Sequence, residues 1–323
     1  MTRWSAARLV VGVAIVATLV WRVGPAPFRD AAAQLGPTTL LLGLALGVPT
    51  TICCAWRWSL VAGALGVRLP LREAVAAVYR AQLLNVAVPG GVAGDVHRGY
   101  RQGRDTGDTV RGLRAVAWER AAGQVVLVAV TSSVLVATSS TARGRLPLLA
   151  LLALAGATVL AVRARPPRGA RWWARGLRVL HQDLHGGLYG GLHGGLLSLR
   201  TCTGVLAASV GALAGPLVTF LVAAHVAGVT ASPAELVRLG LVALLAMAVP
   251  LGVAGWGPRE GVAAWSFAAA GLGADAGVTT AVVYGVMAVV AVLPGAVVIA
   301  TGARRTVPAV PPPMTRDREL TRG

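Results

Sequence analysis

Apolar residues in this chain come in long uninterrupted runs, with neither the two-residue alternation of a half-buried strand nor the narrow stripe of a surface helix. Six runs, at residues 5–23, 38–65, 113–136, 146–162, 201–229 and 278–301, have about the length needed to cross a bilayer as an α-helix. Two more, at 74–88 and 236–249, extend only about 15 residues before a proline and glycine break, short of the roughly 20 a crossing needs. They are expected to be half-helices. Broken backbone at membrane depth survives only where protein or a wet cavity covers it, so both breaks are expected to face the interior. The predicted fold is therefore an all-α polytopic membrane protein with six full transmembrane helices and two re-entrant half-helix hairpins.

Composition strengthens this reading. The chain of 323 residues is 55% hydrophobic and 13% charged, against about 25% charged residues in an ordinary soluble domain. A single membrane domain over residues 1–305 is expected, with a disordered tail at 306–323 where prolines cluster. The net charge of +18 comes entirely from arginine. Those arginines sit in short loops between apolar runs, as the positive-inside rule requires, and they do not form a nucleic-acid footprint. Arg3 and Arg8, the group from Arg98 to Arg114, the loop from Arg163 to Arg178, and Arg304 with Arg305 place both termini on the cytoplasmic side of the cell membrane. The inner loop 163–196 ends in a period of four residues that suits a helix lying on the membrane surface. Cys53, Cys54 and Cys202 have no disulfide or metal spacing and read as small core residues.

A short repeat carries the functional argument. Val88-Pro89-Gly90-Gly91-Val92-Ala93-Gly94 recurs as Val249-Pro250-Leu251-Gly252-Val253-Ala254-Gly255, and an arginine follows four residues later in both copies, Arg98 and Arg259. Each copy closes a half-helix, and three crossings separate them, so the two breaks enter from opposite sides. That is an inverted repeat, with halves at about 38–136 and 200–301, and such paired breaks mark transporter binding sites. Proline ends the helix, glycine lets backbone approach a ligand, and freed N–H groups attract an anion. Arg98 and Arg259 add guanidinium groups that match phosphate oxygens, and are expected to serve as symmetry-related phosphate ligands.

Carboxylates within apolar sequence are the other rare feature. Asp95 follows the first break, Glu119-Arg120 lies inside the third span, and Arg259-Glu260 follows the second break. An ionised group there needs a partner or water. Adjacent helical residues do not face one another, so Glu119 and Arg120 require partners on other segments, Arg98 or Arg259 for the glutamate. Glu73 and Glu235 open the half-helices as first-turn residues. The glycines of Gly43-x-x-x-Gly47 and Gly211-x-x-x-Gly215 are expected to be packing faces. There is no Walker A sequence, no HExxH, no acidic cluster for magnesium and no nucleophile elbow. No catalytic residue, metal or cofactor is nominated.

In order along the chain, Pro89-Gly90-Gly91-Val92-Ala93-Gly94-Asp95-x-x-Arg98, Glu119-Arg120, Pro250-x-Gly252-x-x-Gly255-x-Gly257-x-Arg259-Glu260 and Leu293-Pro294-Gly295 resemble the transmembrane region of lysylphosphatidylglycerol synthases and its stand-alone flippase-like relatives. The resemblance spans roughly residues 6–302. It implies a lipid-translocating domain whose polar lining is Asp95, Arg98, Glu119, Arg120, Arg259 and Glu260. No soluble aminoacyl-transferase domain is present in this sequence, so aminoacylation is not carried over. The expected partner is a membrane phospholipid or a polyprenyl-phosphate-linked lipid, moved as an anionic headgroup through a cavity between the repeats. Two other classes stay open: an intramembrane lipid-modifying transferase with Asp95 or Glu119 as base, and an ion-coupled small-solute transporter using the same carboxylates.

Overall fold

The computed structural model describes residues 21, 24–88, 91–138, 183, 196, 198–248 and 257–301. Its helices are α1 (Ala26–Gln34), α2 (Pro37–Ala64), α3 (Leu71–Ala87), α4 (Ala93–Asp105), α5 (Thr109–Thr138), α6 (Leu199–Val226), α7 (Pro233–Met247), α8 (Pro258–Ala269), α9 (Ala274–Val292) and α10 (Pro294–Ala300). No strand occurs among the described residues. Four helical stretches are long and apolar enough to cross a membrane: α2, α5, α6, and α9 continued by α10. They correspond to four of the six expected spans. The expected spans at 5–23 and 146–162, most of the inner loop 163–196 and the tail lie outside the described residues, as do Pro89, Gly90, Pro250, Gly252 and Gly255.

The two short apolar runs form α3, of 17 residues, and α7, of 15. At 1.5 Å per residue each reaches only about 25 Å, less than the roughly 30 Å hydrocarbon core. Each is followed, after its break, by a second short helix. Gly91, at φ +62, and Gly257, at φ +102, adopt the left-handed backbone that redirects the chain into α4 and α8. Glu73 and Glu235 lie in the first turns of α3 and α7, where the helix dipole favours negative charge.

The order long, short, short, long in α2 to α5 is repeated in α6 to α9. Glycine contacts set the directions of these helices. Along α6, Gly204 lies against Leu60, Gly211 against Cys53 and Gly215 against Thr50, so α6 runs antiparallel to α2. Gly43 and Gly47 lie against Met287 and Ala291, so α9 runs parallel to α2. Both glycine pairs are packing faces, because a Cβ at Gly47 would stand 2.4 Å from that of Ala291. The neighbours obey the same exchange: α2 packs on α9 as α6 packs on α5, and α3 touches α9 as α7 touches α5. Gly43 and Gly204 are separated by the same number of residues as Arg98 and Arg259, so α2 and α6 share in sequence the offset that relates the two arginines.

Two apolar clusters fill the spaces between helices. One gathers Phe220, Phe267, Val283, Tyr284 and Met287; the other gathers Ala55, Trp58, Val61, Ala77, Ala115 and Val116. In lipid no hydrophobic gain separates helix from helix, so close van der Waals fit and interhelical polar contacts hold such a bundle. The cysteines differ from their expected core role. All three are free and half-buried: Cys53 lies against Gly211, Cys54 packs at the edge of the second cluster, and the Cys202 thiol donates to the Leu196 carbonyl.

Candidate functional site

The breaks were expected to leave backbone N–H groups free for an anion. Two of these groups are occupied. The Gly94 N–H donates to Asn85 Oδ1 at 2.8 Å, and the Gly257 N–H donates to Glu260 Oε2 at 2.7 Å. A buried amide without a partner is costly, and each half supplies a side chain from its own hairpin to meet that cost.

The charged side chains, in contrast, converge. Arg57 comes from α2, Asn85 from α3, Asp95 and Arg98 from α4, Glu119 and Arg120 from α5, and Ser209 from α6. Glu119 Oε1 accepts from Arg57 Nε at 2.9 Å and from its Nη2 at 2.5 Å, and Glu119 Oε2 accepts from Arg98 Nη2 at 2.5 Å. Asp95 Oδ1 accepts from Arg98 Nε at 2.9 Å; Asp95 Oδ2 accepts from Asn85 Nδ2 at 2.9 Å and pairs with Arg120. Arg57 Nη1 donates to Ser209 Oγ at 3.3 Å. The Arg98 guanidinium lies 4.5 Å from the Trp58 ring centroid, within cation–π range. Glu119 thus reaches Arg98, one of its two expected partners, and Arg120 reaches another helix, as adjacency demands.

Glu119 is 1% exposed, Arg98 5%, Asp95 6% and Arg57 7%, whereas the Arg120 side chain is half exposed. Charges so buried persist only when paired and hydrogen-bonded. The pairing is nonetheless uneven, since three guanidinium groups face two carboxylates. One unit of positive charge is left over, and Arg120 presents it at the accessible side.

Arg57 is absent from the sequence-derived site. Its signal was available: a lone arginine in the middle of a long apolar run is expensive in lipid and calls for a partner. Gly123 makes the room for it, since a Cβ there would stand 2.7 Å from Arg57 Nη1. Asn85 and Ser209 carried no such signal, being ordinary polar residues until the fold sets them beside charges.

The second half is built differently. Arg259 and Glu260 are 1% and 0% exposed and pair with each other, with Arg259 Nε donating to Glu260 Oε1 at 3.0 Å. Here neighbours in sequence do interact, because both occupy the first turn of α8 and the arginine can fold back past the helix end. The Arg259 guanidinium stands 5.3 Å from the Tyr284 ring centroid. This pair is neutral. Arg98 and Arg259 are equivalent by repeat, yet only Arg98 belongs to a cluster with surplus charge.

α2 and α5, which carry Arg57 and Glu119, line with α6 a partly open apolar cavity of about 290 Å³ that has Val61, Trp118, Val125, Cys202 and Val205 in its wall. Trp118 directly precedes Glu119 in α5. Its indole N–H donates to Asp183 Oδ2 at 3.0 Å, and Arg114 Nε donates to the same oxygen at 2.9 Å. A cavity with a hydrocarbon wall and a charged neighbour suits an amphipathic ligand. Among the described residues no three His, Cys, Asp or Glu side chains gather as a metal site.

Residues 5–295 match the family model described as lysylphosphatidylglycerol synthase TM region. No curated protein shows a significant match. The match and the apolar helices together make this a multi-pass membrane protein.

Proposed function

The chain belongs to the lysylphosphatidylglycerol synthase transmembrane-region family, and from that premise we propose that it moves an anionic lipid headgroup across the membrane. The headgroup passes through the interior between the repeats while its hydrocarbon tails remain in the bilayer, and the two helix pairs α3–α4 and α7–α8 act as re-entrant hairpins around it. The observation that carries the reading is the buried cluster of Arg57, Arg98 and Arg120 against Asp95 and Glu119, with one surplus positive charge. A phosphate diester carries one negative charge and offers two oxygens to a guanidinium fork, so its arrival neutralises the cluster. The apolar cavity that α2 and α5 line with α6 favours a ligand with hydrocarbon attached.

The same geometry weighs against the other two classes. All four carboxylate oxygens of Asp95 and Glu119 accept from guanidinium or amide groups. A carboxylate clamped in this way is a poor proton acceptor, both for a transferase base and for a proton relay.

Leaflet-resolved lipid exchange in proteoliposomes tests the proposal. Anionic fluorescent phospholipid is expected to equilibrate between leaflets faster than in protein-free vesicles, with its mass unchanged. Exchange no faster than in protein-free vesicles, or a chemically altered lipid, would overturn it.

A further inference from the structure

The apolar cavity between α2, α5 and α6 has a polar end, made by residues outside the arginine cluster. Trp118, Ala122 and Val125 of α5 line its wall, and their spacing of four and three residues puts them on one face of that helix. Arg114 stands four residues before Trp118, so the same face carries a guanidinium one turn beyond the wall. Both residues meet Asp183. Arg114 Nε and the Trp118 indole N–H donate to its Oδ2 at 2.9 and 3.0 Å, and Arg114 Nη2 pairs with its Oδ1. The Leu196 N–H donates to the Asp183 backbone carbonyl at 3.2 Å, and Leu196 is a wall residue as well. Asp183 is thus bonded to two wall residues and to the guanidinium beyond them.

The chemistry of that end is specific. A guanidinium edge and an indole N–H offer three donors and no acceptor, and the guanidinium edge forms the fork that matches the two oxygens of a carboxylate. Asp183, 69 residues from Arg114 along the chain, supplies such a carboxylate at 7% exposure. The cavity continues from these donors as a place for hydrocarbon. At about 290 Å³ it lies at the small end of ligand pockets, which run to about 1,000 Å³, and so has room for one chain rather than the two of a phospholipid. The two polar side chains of its wall are already bonded, the indole to Asp183 and the Cys202 thiol to the Leu196 carbonyl at 3.3 Å. Ester and glycerol oxygens of a phospholipid find no side-chain donor there, and burying them unpaired is costly.

The geometry points to a binding site for a long-chain fatty carboxylate, with its chain in the cavity and its carboxylate on Arg114 and Trp118 in place of Asp183. Asp183 is a tethered competitor for those donors, and its high effective concentration sets the level of free carboxylate at which the site fills. Hydrocarbon gains little by leaving lipid for an apolar cavity. The carboxylate therefore supplies the preference, and the cavity limits it to a single chain.

The site needs neither the arginine cluster nor translocation, so its test leaves the headgroup proposal untouched. The full chain in phosphatidylcholine vesicles is photolabelled with dodecanoic acid bearing a diazirine in its chain, at about pH 9 so that the membrane-bound acid is ionised. Labelled positions are read by peptide mass spectrometry, and the methyl ester of the same probe supplies the chain without the charge. The acid is expected to label residues 118–126 and 202–206 about tenfold more than the ester does, the effect of roughly one charge-assisted hydrogen bond. Asp183→Asn, which keeps the shape and removes the competing charge, is expected to lower the acid concentration for half-maximal labelling about tenfold. Ala122→Phe, which fills the cavity, is expected to abolish the labelling. Equal labelling by acid and ester would overturn the site, and that comparison uses the unsubstituted protein. Labelling unchanged by Asp183→Asn or by Ala122→Phe would overturn it too, as would displacement by excess phosphatidic acid as readily as by excess dodecanoate.

Discussion

Glu119→Gln is the perturbation that reaches furthest into the cluster. The carboxylate accepts two contacts from Arg57 and one from Arg98, at 2.5 to 2.9 Å, in a position 1% exposed. Glutamine keeps the shape, removes the charge and turns an NH₂ toward a guanidinium. Arg57, Arg98 and Arg120 then face Asp95 alone, and the uncompensated charge rises from one unit to two. Breaking a buried pair by removing one partner costs about 3–5 kcal/mol. Arg57→Gln leaves Glu119 to Arg98 alone and should cost less, because the surplus charge disappears with it. The double variant Arg57→Gln/Glu119→Gln restores a surplus of one. Its loss should therefore fall short of the sum of the single losses by about 2 kcal/mol, within the range found for contacting residues. Equilibrium unfolding in mixed micelles of rising SDS fraction reads all three values. A loss below about 1 kcal/mol for Glu119→Gln, or additive losses in the double variant, would refute the charge balance described here.

Arg98→Gln should slow leaflet exchange of anionic lipid by roughly ten- to hundredfold, the effect of losing one charge-assisted phosphate contact of about 1.5–3 kcal/mol, and Arg98→Lys should restore it only partly because the fork is lost. Arg259→Gln should act mainly on stability, leaving Glu260 without its guanidinium and lowering the SDS fraction at mid-unfolding more than Arg98→Gln lowers it. Gly94→Ala should cost more than about 2 kcal/mol and block assembly of the α3–α4 pair, since its Cβ would stand 2.0 Å from the Ala81 carbonyl oxygen, a backbone atom that cannot swing aside. In a background lacking Cys53, Cys54 and Cys202, a membrane-impermeant thiol reagent applied to intact cells should label Thr230→Cys and not Thr106→Cys, both positions being exposed in connections between helices. Labelling of Thr106→Cys alone would reverse the predicted orientation.

Sequence alone settled the class of this protein, because lipid leaves little choice. Backbone in hydrocarbon must satisfy itself, so long apolar runs become helices whatever their neighbours are, and the spans at α2, α5, α6 and α9 with α10 follow with ends displaced by only a few residues. The two short helices α3 and α7 were equally readable, from the short apolar runs at 74–88 and 236–249. Charged candidates announced themselves by cost: Asp95, Arg98, Glu119, Arg120, Arg259 and Glu260 are rare at such depth, and by the same logic Arg57 was there to be found. What sequence did not contain was who meets whom. Glu119 had two possible arginines, and the crossing of α4 over α5 at Gly99, Gly103 and Gly112 brings it Arg98. Two of the break amides, those of Gly94 and Gly257, donate to Asn85 and Glu260, a matter of angstroms that no spacing encodes. The difference between the charged first half and the neutral second arises in the same way: repeats place Arg98 and Arg259 alike, but α2 and α5 deliver Arg57, Glu119 and Arg120 to only one of them. Local rules act through a few bonds and survive in a linear reading. Pairing energies depend on distance and burial across helices far apart in the chain, and those quantities exist only after the bundle has closed.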